Sequence, residues 1–288
     1  MRNRKLIYGI LLSLFILSLI LGSVIFYSKN SQGLKVIFLD IGQGDAILIT
    51  QGRNQILIDG GRSGKLLLER LGRFIPFWDR QIEAIVATHP DQDHIGGLAS
   101  ALRNYGAATV IETKARSQSR VYEDWENEIE KERARRAEAV RGTSFKFPNG
   151  ARAEIVYPFY SLADFQSKNS NENSVVIKLA FGENSFLLTG DLPSDKESVL
   201  IKSGLDLKSR VLKAGHHGSK HSTSAEFLEF VNPEEAVISV GKNSYGHPHR
   251  EVLERLRRQG IKFYRTDKKG NIVYECESRE EKCGRYFD

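Results

Sequence analysis

An uncharged apolar stretch opens the chain, and short apolar runs set the pattern after it. Residues 6–27 carry no charge, and the five residues before them carry three positive ones, at Arg2, Arg4 and Lys5. As a helix rising ~1.5 Å per residue, the stretch is roughly 33 Å long, enough to cross a bilayer core. No small-x-small cleavage site of the Ala-x-Ala kind follows it, and the basic flank favours the cytoplasmic side. The pattern predicts a membrane anchor over residues 1–33, its helix at about 6–27, and an exported domain over residues 34–288.

Beyond residue 33 the apolar positions fall into short runs. LKVIFLD (34–40), DAILIT (45–50), NQILIDGG (54–61) and IEAIVATH (82–89) read as strands, the second and third parted by a turn around Gly52 and Asn54. SGKLLLERLGRF (63–74) has helical spacing, and a helix after Ile95 and a strand at ATVIET (108–113) follow. Residues 120–141 are dense in charges of alternating sign, which predicts a solvated helix.

The second half repeats the first. SVVIKLAFGENSFLLTGD (174–191) is a strand pair ending in a carboxylate, as is the pair ending at Asp59. A helical stretch, SDKESVLIKSG (194–204), then leads to SRVLKAGHHGSK (209–220), a strand ending in histidines. Two such halves, packed sheet to sheet with helices outside, predict an α/β fold of four layers, α/β/β/α. A pseudo-two-fold axis would bring Asp59, residues 89–94, Asp191, His216 and His217 to one edge.

Charge and cysteine content add limits. The net charge is +6, but four of the positive charges lie in the first 33 residues, which hold no acid, so the remainder carries only +2. Global charge therefore argues for no particular partner. The two cysteines, Cys276 and Cys283, suit a disulfide stapling a terminal hairpin, and no other thiol is present for cysteine chemistry.

The chemistry concentrates in HPDQDH, where His89, Asp91, Asp93 and His94 crowd into six residues. Crowded carboxylates repel unless a cation neutralises them, and the imidazoles argue against calcium. Asp191 in LLTGD and His247 in YGHPH add acceptors of the same kind.

THPDQDHIGGL resembles the H-x-[HD]-x-D-H signature of the metallo-β-lactamase superfamily. FLDIGQGDAILI, ILIDGG, LLTGDL, KAGHHGSKHST and ISVGKNSYGHPH resemble, in order, the extracellular metallohydrolase domain of ComEC/Rec2 competence proteins. The resemblance runs over residues 34–267. It implies two divalent ions, zinc or manganese, with His89 and Asp91 on one and Asp93 and His94 on the other. Asp191 would bridge them, His247 would complete the second site, and Asp59 would orient a ligand from behind. Asp91 stands where many members have a second histidine. NENS (171–174), with Asn171 or Asn173 nearest, stands where they have a third, and this carboxylate-rich set suits manganese. GHHGSKHST looks like the substrate end, with His216 and His217 protonating a leaving group and Ser219 and Lys220 contacting phosphate. Alternatively, one of the two histidines binds metal.

The resemblance, with the N-terminal stretch, implies an exported, membrane-anchored phosphodiesterase, foremost a nuclease acting on extracellular DNA in competence or scavenging. Lys213, Lys220, Lys242 and Arg250 supply local positive charge for a polyanion. ComEC proteins also carry a polytopic channel domain. With one spanning segment, this chain would need a DNA-uptake channel as partner, whereas scavenging would not. The alternatives are a cell-envelope phosphodiesterase of the phosphorylcholine-esterase type and a non-catalytic, metal-stabilised binding module. β-Lactam hydrolysis is disfavoured by the missing three-histidine site.

Overall fold

The computed structural model describes residues 2–29, 33–163 and 169–288. The expected junction between anchor and domain falls partly on residues 30–32, outside the described residues. The N-terminal apolar stretch forms α1 (Arg2–Lys29), and its Arg4–Ser23 portion is long and apolar enough to cross a membrane.

In chain order there follow β1 (Leu34–Phe38), β2 (Ile47–Gln51), β3 (Asn54–Ile58), α2 (Gly64–Phe74), β4 (Ile82–Ala87), α3 (Gln92–Ile95), α4 (Leu98–Tyr105) and β5 (Ala107–Glu112). The middle of the chain forms α5 (Arg120–Glu132), β6 (Arg135–Glu138), β7 (Ser144–Lys146), β8 (Arg152–Tyr157), β9 (Val176–Phe181) and β10 (Asn184–Leu188). Next come α6 (Ser194–Lys202), β11 (Val211–Lys213), α7 (Ala225–Val231) and β12 (Glu235–Ile238). The chain closes with α8 (Arg250–Arg258), β13 (Lys262–Arg265), α9 (Thr266–Lys269), β14 (Ile272–Cys276) and β15 (Gly284–Phe287).

The strands form two sheets, β15-β14-β1-β2-β3-β4-β5-β6 and β13-β12-β11-β10-β9-β8-β7. Strand side chains alternate between faces, so each sheet has two apolar surfaces to cover. Val36, Ile49, Ile56 and Val86 of the first sheet share one core with Ile155, Leu179, Phe186 and Val211 of the second. Their neighbours Ile37, Leu48, Leu57 and Ile85 pack under α2, α4 and α5. On the other side, Leu187, Leu212 and Ile238 pack under α6, α7 and α8. The result is the four-layer α/β/β/α sandwich read from the sequence.

The internal repeat is present in the pairing. β2 and β3 are antiparallel and β3 and β4 parallel, and β9, β10 and β11 repeat that order. It also continues outward, because β4-β5-β6 and β11-β12-β13 are both parallel runs. The β14–β15 hairpin crosses back to the first sheet beside β1, and a Cys276–Cys283 disulfide closes it.

The charged stretch at 120–141 differs from expectation. Its helix stops at Glu132, Arg133 takes a left-handed conformation, and residues 135–138 become the edge strand β6. Nor is the helix solvated all round. Trp125 and Ile129, four residues apart, are buried against the first sheet, and Trp125 Nε1 donates to Glu112 at 3.0 Å. A narrow apolar stripe was hidden among the charges.

Candidate metal centre

Parallel strands share a direction, so β3, β4, β10, β11 and β12 all deliver their C-terminal turns to one edge. Asp59 follows β3, residues 88–94 follow β4 through the single turn of α3, and Asp191 follows β10. After β11, His216 and His217 both adopt left-handed conformations, with φ of 46° and 52°. Such backbone costs about 1–3 kcal/mol per non-glycine residue and is tolerated where a site needs it. His217 turns inward and is buried, while His216 keeps 29% of its side chain exposed. Gly44 lets the loop before β2 approach this turn closely, because a Cβ there would fall 2.1 Å from Asp93 O. That approach brings Asp45, whose amide donates to Asp93 O at 3.1 Å, under the site.

Three imidazoles meet around Asp191. His94 Nε2 and His217 Nε2 each lie 3.3 Å from Asp191 Oδ2, and His217 Nε2 lies 3.6 Å from Asp93 Oδ2. His89 completes a group with His94 and Asp191 whose donor atoms lie within 4.8 Å of one another. In each ring the other nitrogen is already held. His94 Nδ1 donates to Asp59 Oδ2 at 2.8 Å, and His217 Nδ1 to the Ser239 carbonyl at 2.9 Å. Thr88 Oγ1 donates to Asp59 Oδ2 and therefore accepts from His89 Nδ1, at 3.0 Å. Nε2 of His89, His94 and His217 and Oδ1 of Asp191 are buried without a hydrogen-bond partner. Buried polar atoms rarely go unsatisfied, and imidazoles fixed at Nδ1 with Nε2 free are oriented as metal ligands are. The donor set fits divalent metal.

The charges agree. Among the described residues, Asp45, Asp59, Asp91, Asp93 and Asp191 face one permanent cation within the site, Lys213, a deficit matching two divalent ions. Without metal, protons on two histidines offset part of the deficit. Burial opposes charge on His94 and His217, but Asp191, Asp59 and their neighbours outweigh it and hold both well above the ordinary imidazole range. Burial likewise pushes Asp191 up, yet His217 and His94 hold it well below the usual carboxylate range. His89 faces the opposite balance, and burial with the nearby His94 depresses it to about 3.

Asp91 stands at the rim, 38% exposed and 3.8 Å from His89 Nε2, and lies in none of the donor groups among the described residues. Asn173 is buried with an unpartnered Oδ1, and Asn171 Nδ2 lies 3.2 Å from His216 Nδ1. His247 lies in none of the donor groups among the described residues; its ring is 5.2 Å from that of His216. The position expected for it beside Asp93 and His94 is taken by His217, because the left-handed turn after β11 carries that ring into the interior. His216 stays outside, its Nε2 3.7 Å from Asp191 Oδ2. Ser219 is buried in the turn, and Lys220 is exposed.

Lys213 requires correction. Expected to attract a polyanion, it is fully buried, ion-paired with Asp45 at 2.5 Å and donating to the Gly190 carbonyl at 2.7 Å. It ties the loop of Asp45 to the loop of Asp191. Asp45 and Ser174 were not singled out from the sequence; Ser174 Oγ accepts from the Asp191 amide at 3.1 Å and lies 3.5 Å from His89 Nδ1. A lysine inside the apolar strand RVLKAG was the available signal that a buried carboxylate must exist.

A family model described as the metallo-beta-lactamase superfamily matches residues 39–242. The chain belongs to that superfamily. ComE operon protein 3 of Bacillus subtilis is 32% identical over 87% of this chain, and Competence protein ComA of Neisseria gonorrhoeae is 31% identical over 82%. The alignments cover 34% and 31% of those proteins, so this metallo-β-lactamase chain spans about a third of the curated relatives it matches. The likeness to ComEC/Rec2 competence proteins read from the motifs therefore holds along most of the chain. The metallo-β-lactamase fold protein YhfI from Bacillus subtilis superposes with a TM-score of 0.54 at 13% identity. That match covers 84% of this chain and 99% of the other, and speaks for the fold alone.

Proposed function

We propose that the domain is a metal-dependent phosphodiesterase, foremost a nuclease acting on DNA outside the membrane to which α1 anchors it. The observation that carries this reading is the convergence of three unpartnered Nε2 atoms on Asp191. Similarity to competence proteins supports DNA as the substrate.

His89, Asp91 and Asp191 would hold one ion, and Asp93, His94, His217 and Asp191 the other. Zinc or manganese there would supply Lewis acidity and activate water near neutral pH. Asp59, Thr88, Ser174 and the Ser239 carbonyl fix the ligand side chains before substrate arrives, and Lys213 fixes the two carboxylate loops. His216 faces the open side. Burial lowers its pKa, so near neutral pH it rests mostly as the neutral imidazole, and the proton for a leaving oxygen would come from its minor but more acidic imidazolium form. Exposed Lys220 meets phosphate by charge alone, an attraction that salt screens.

The test is full-length protein in detergent, stripped of metal and given Mn²⁺ or Zn²⁺, against single- and double-stranded DNA, RNA and bis-p-nitrophenyl phosphate. Metal-dependent DNA cleavage is expected. Ester hydrolysis without DNA cleavage would favour the cell-envelope esterase, and bound metal without turnover the binding module. A DNA-uptake channel as partner would apply only if cleavage is coupled to transport.

A further inference from the structure

The metal centre occupies one edge of the sandwich, and the opposite edge carries an exposed aromatic pair that catalysis does not use. Phe77 is 77% exposed and Trp78 53%, with their rings in edge-to-face contact at 4.9 Å. They are not on a loose loop. Ile75 and Asp79 on either side are buried. Asp79 Oδ2 accepts from Gln55 Nε2 at 3.2 Å and faces Arg53 Nε at 3.8 Å. The fold therefore holds two large apolar side chains out in water at a fixed place, beside the turn between β2 and β3.

That place follows from the strand register. Leu34, the first residue of β1, pairs with Gln51 at the end of β2, and Gln51 with Asn54 at the start of β3. The aromatic turn leads into β4, the strand beyond β3, and is thus about three inter-strand spacings, roughly 14 Å, from the residue where the chain enters the domain. Only four residues separate α1, ending at Lys29, from Leu34. Whatever path they take, five Cα steps reach roughly 18 Å at most. If α1 spans a bilayer, this edge of the domain is held at its surface.

Resting on the reading of α1 as a membrane anchor, we propose that Phe77 and Trp78 insert into the lipid interface and seat the domain on the bilayer. Trp78, an aromatic ring with one polar end, favours that layer, and Phe77 adds apolar area beside it. Exposed Arg53 and Arg80 flank the pair with positive charge suited to anionic headgroups. The consequence is an orientation. The six residues of β4, at ~3.3 Å each, separate the two edges by roughly 20 Å, so the metal centre faces away from the membrane, open to a polymer arriving from outside.

Trp78 and Trp125 are the only tryptophans, and Trp125 is buried near the metal-bearing edge, so fluorescence isolates the first from the second. The full chain is reconstituted into vesicles of phosphatidylethanolamine and phosphatidylglycerol containing lipids brominated either high on the acyl chain or near its end. The proposal predicts blue-shifted emission quenched more by the shallow bromine, with the quenchable component lost in Trp78→Phe and Trp125 unquenched. Retention on vesicles through a high-salt wash, with no quenching of Trp78, overturns the proposal and leaves the anchor standing. Release of the chain by the wash overturns the anchor and the proposal together.

Discussion

At His89, His94 and His217 one ring nitrogen is bound by protein and the other points at Asp191. His247 lies outside that arrangement, which makes the pair His217 and His247 a direct contrast. His217→Ala should lose bound metal, whereas His247→Ala should keep it, as read by elemental analysis after dialysis; equal losses would break the assignment. Lys213 is testable independently of metal. Lys213→Met leaves Asp45 buried without its counter-charge and should cost about 3–5 kcal/mol in chemical denaturation. A change near zero would mean that Asp45 had found another partner. Protonation gives a third expectation. The raised pKa values of His94 and His217 stabilise the metal-free fold fully below their ordinary value of 6.5, and that contribution is lost as pH rises through the raised values. Metal-free protein should therefore melt at lower temperature as the solution is made alkaline, with Mn²⁺ restoring most there. A metal-free melting temperature flat from neutral to alkaline pH would contradict it. HPDQDH was legible because its donors are contiguous. Asp45, Ser174 and the true place of Lys213 were not, because each is defined by a partner far along the chain.

The strand–helix–strand order of each half was readable because strands buried on both faces leave continuous apolar runs, and Asp59 and Asp191 mark where two of them end. The charged middle was not readable in the same way. In α5 the charges outnumber the apolar positions, yet Trp125 and Ile129, with Val121 and Tyr122 half-buried beside them, decide which face is buried. The edge strands β6 and β7 are short and mostly exposed or half-buried, so they carry little apolar signal. The β14–β15 hairpin lies at the end of the first sheet and depends on its staple. Replacing both Cys276 and Cys283 by serine should cost about 2–3 kcal/mol in urea denaturation, since the bond closes a short loop in the unfolded chain. An unchanged midpoint would mean that hairpin pairing alone holds this edge.

Across the whole molecule, two similar halves face each other and their strand ends build one site from opposite sheets. Neither half has a complete donor set: the first supplies His89, Asp93 and His94, with Asp91 at the rim beside His89, and the second supplies Asp191 and His217. The architecture and the convergence followed from the repeat, whereas the choice among late histidines depended on a left-handed turn that no periodicity reveals. Asp191 is the residue on which the arrangement turns, because its carboxylate is the meeting point of both donor groups. The most direct measurement is the metal content of purified full-length protein after saturation with Mn²⁺ and dialysis, beside that of Asp191→Ala with an unchanged circular dichroism spectrum. Two equivalents in the native protein and one or none in the variant are expected. Two equivalents retained by the folded variant would contradict a centre built around Asp191.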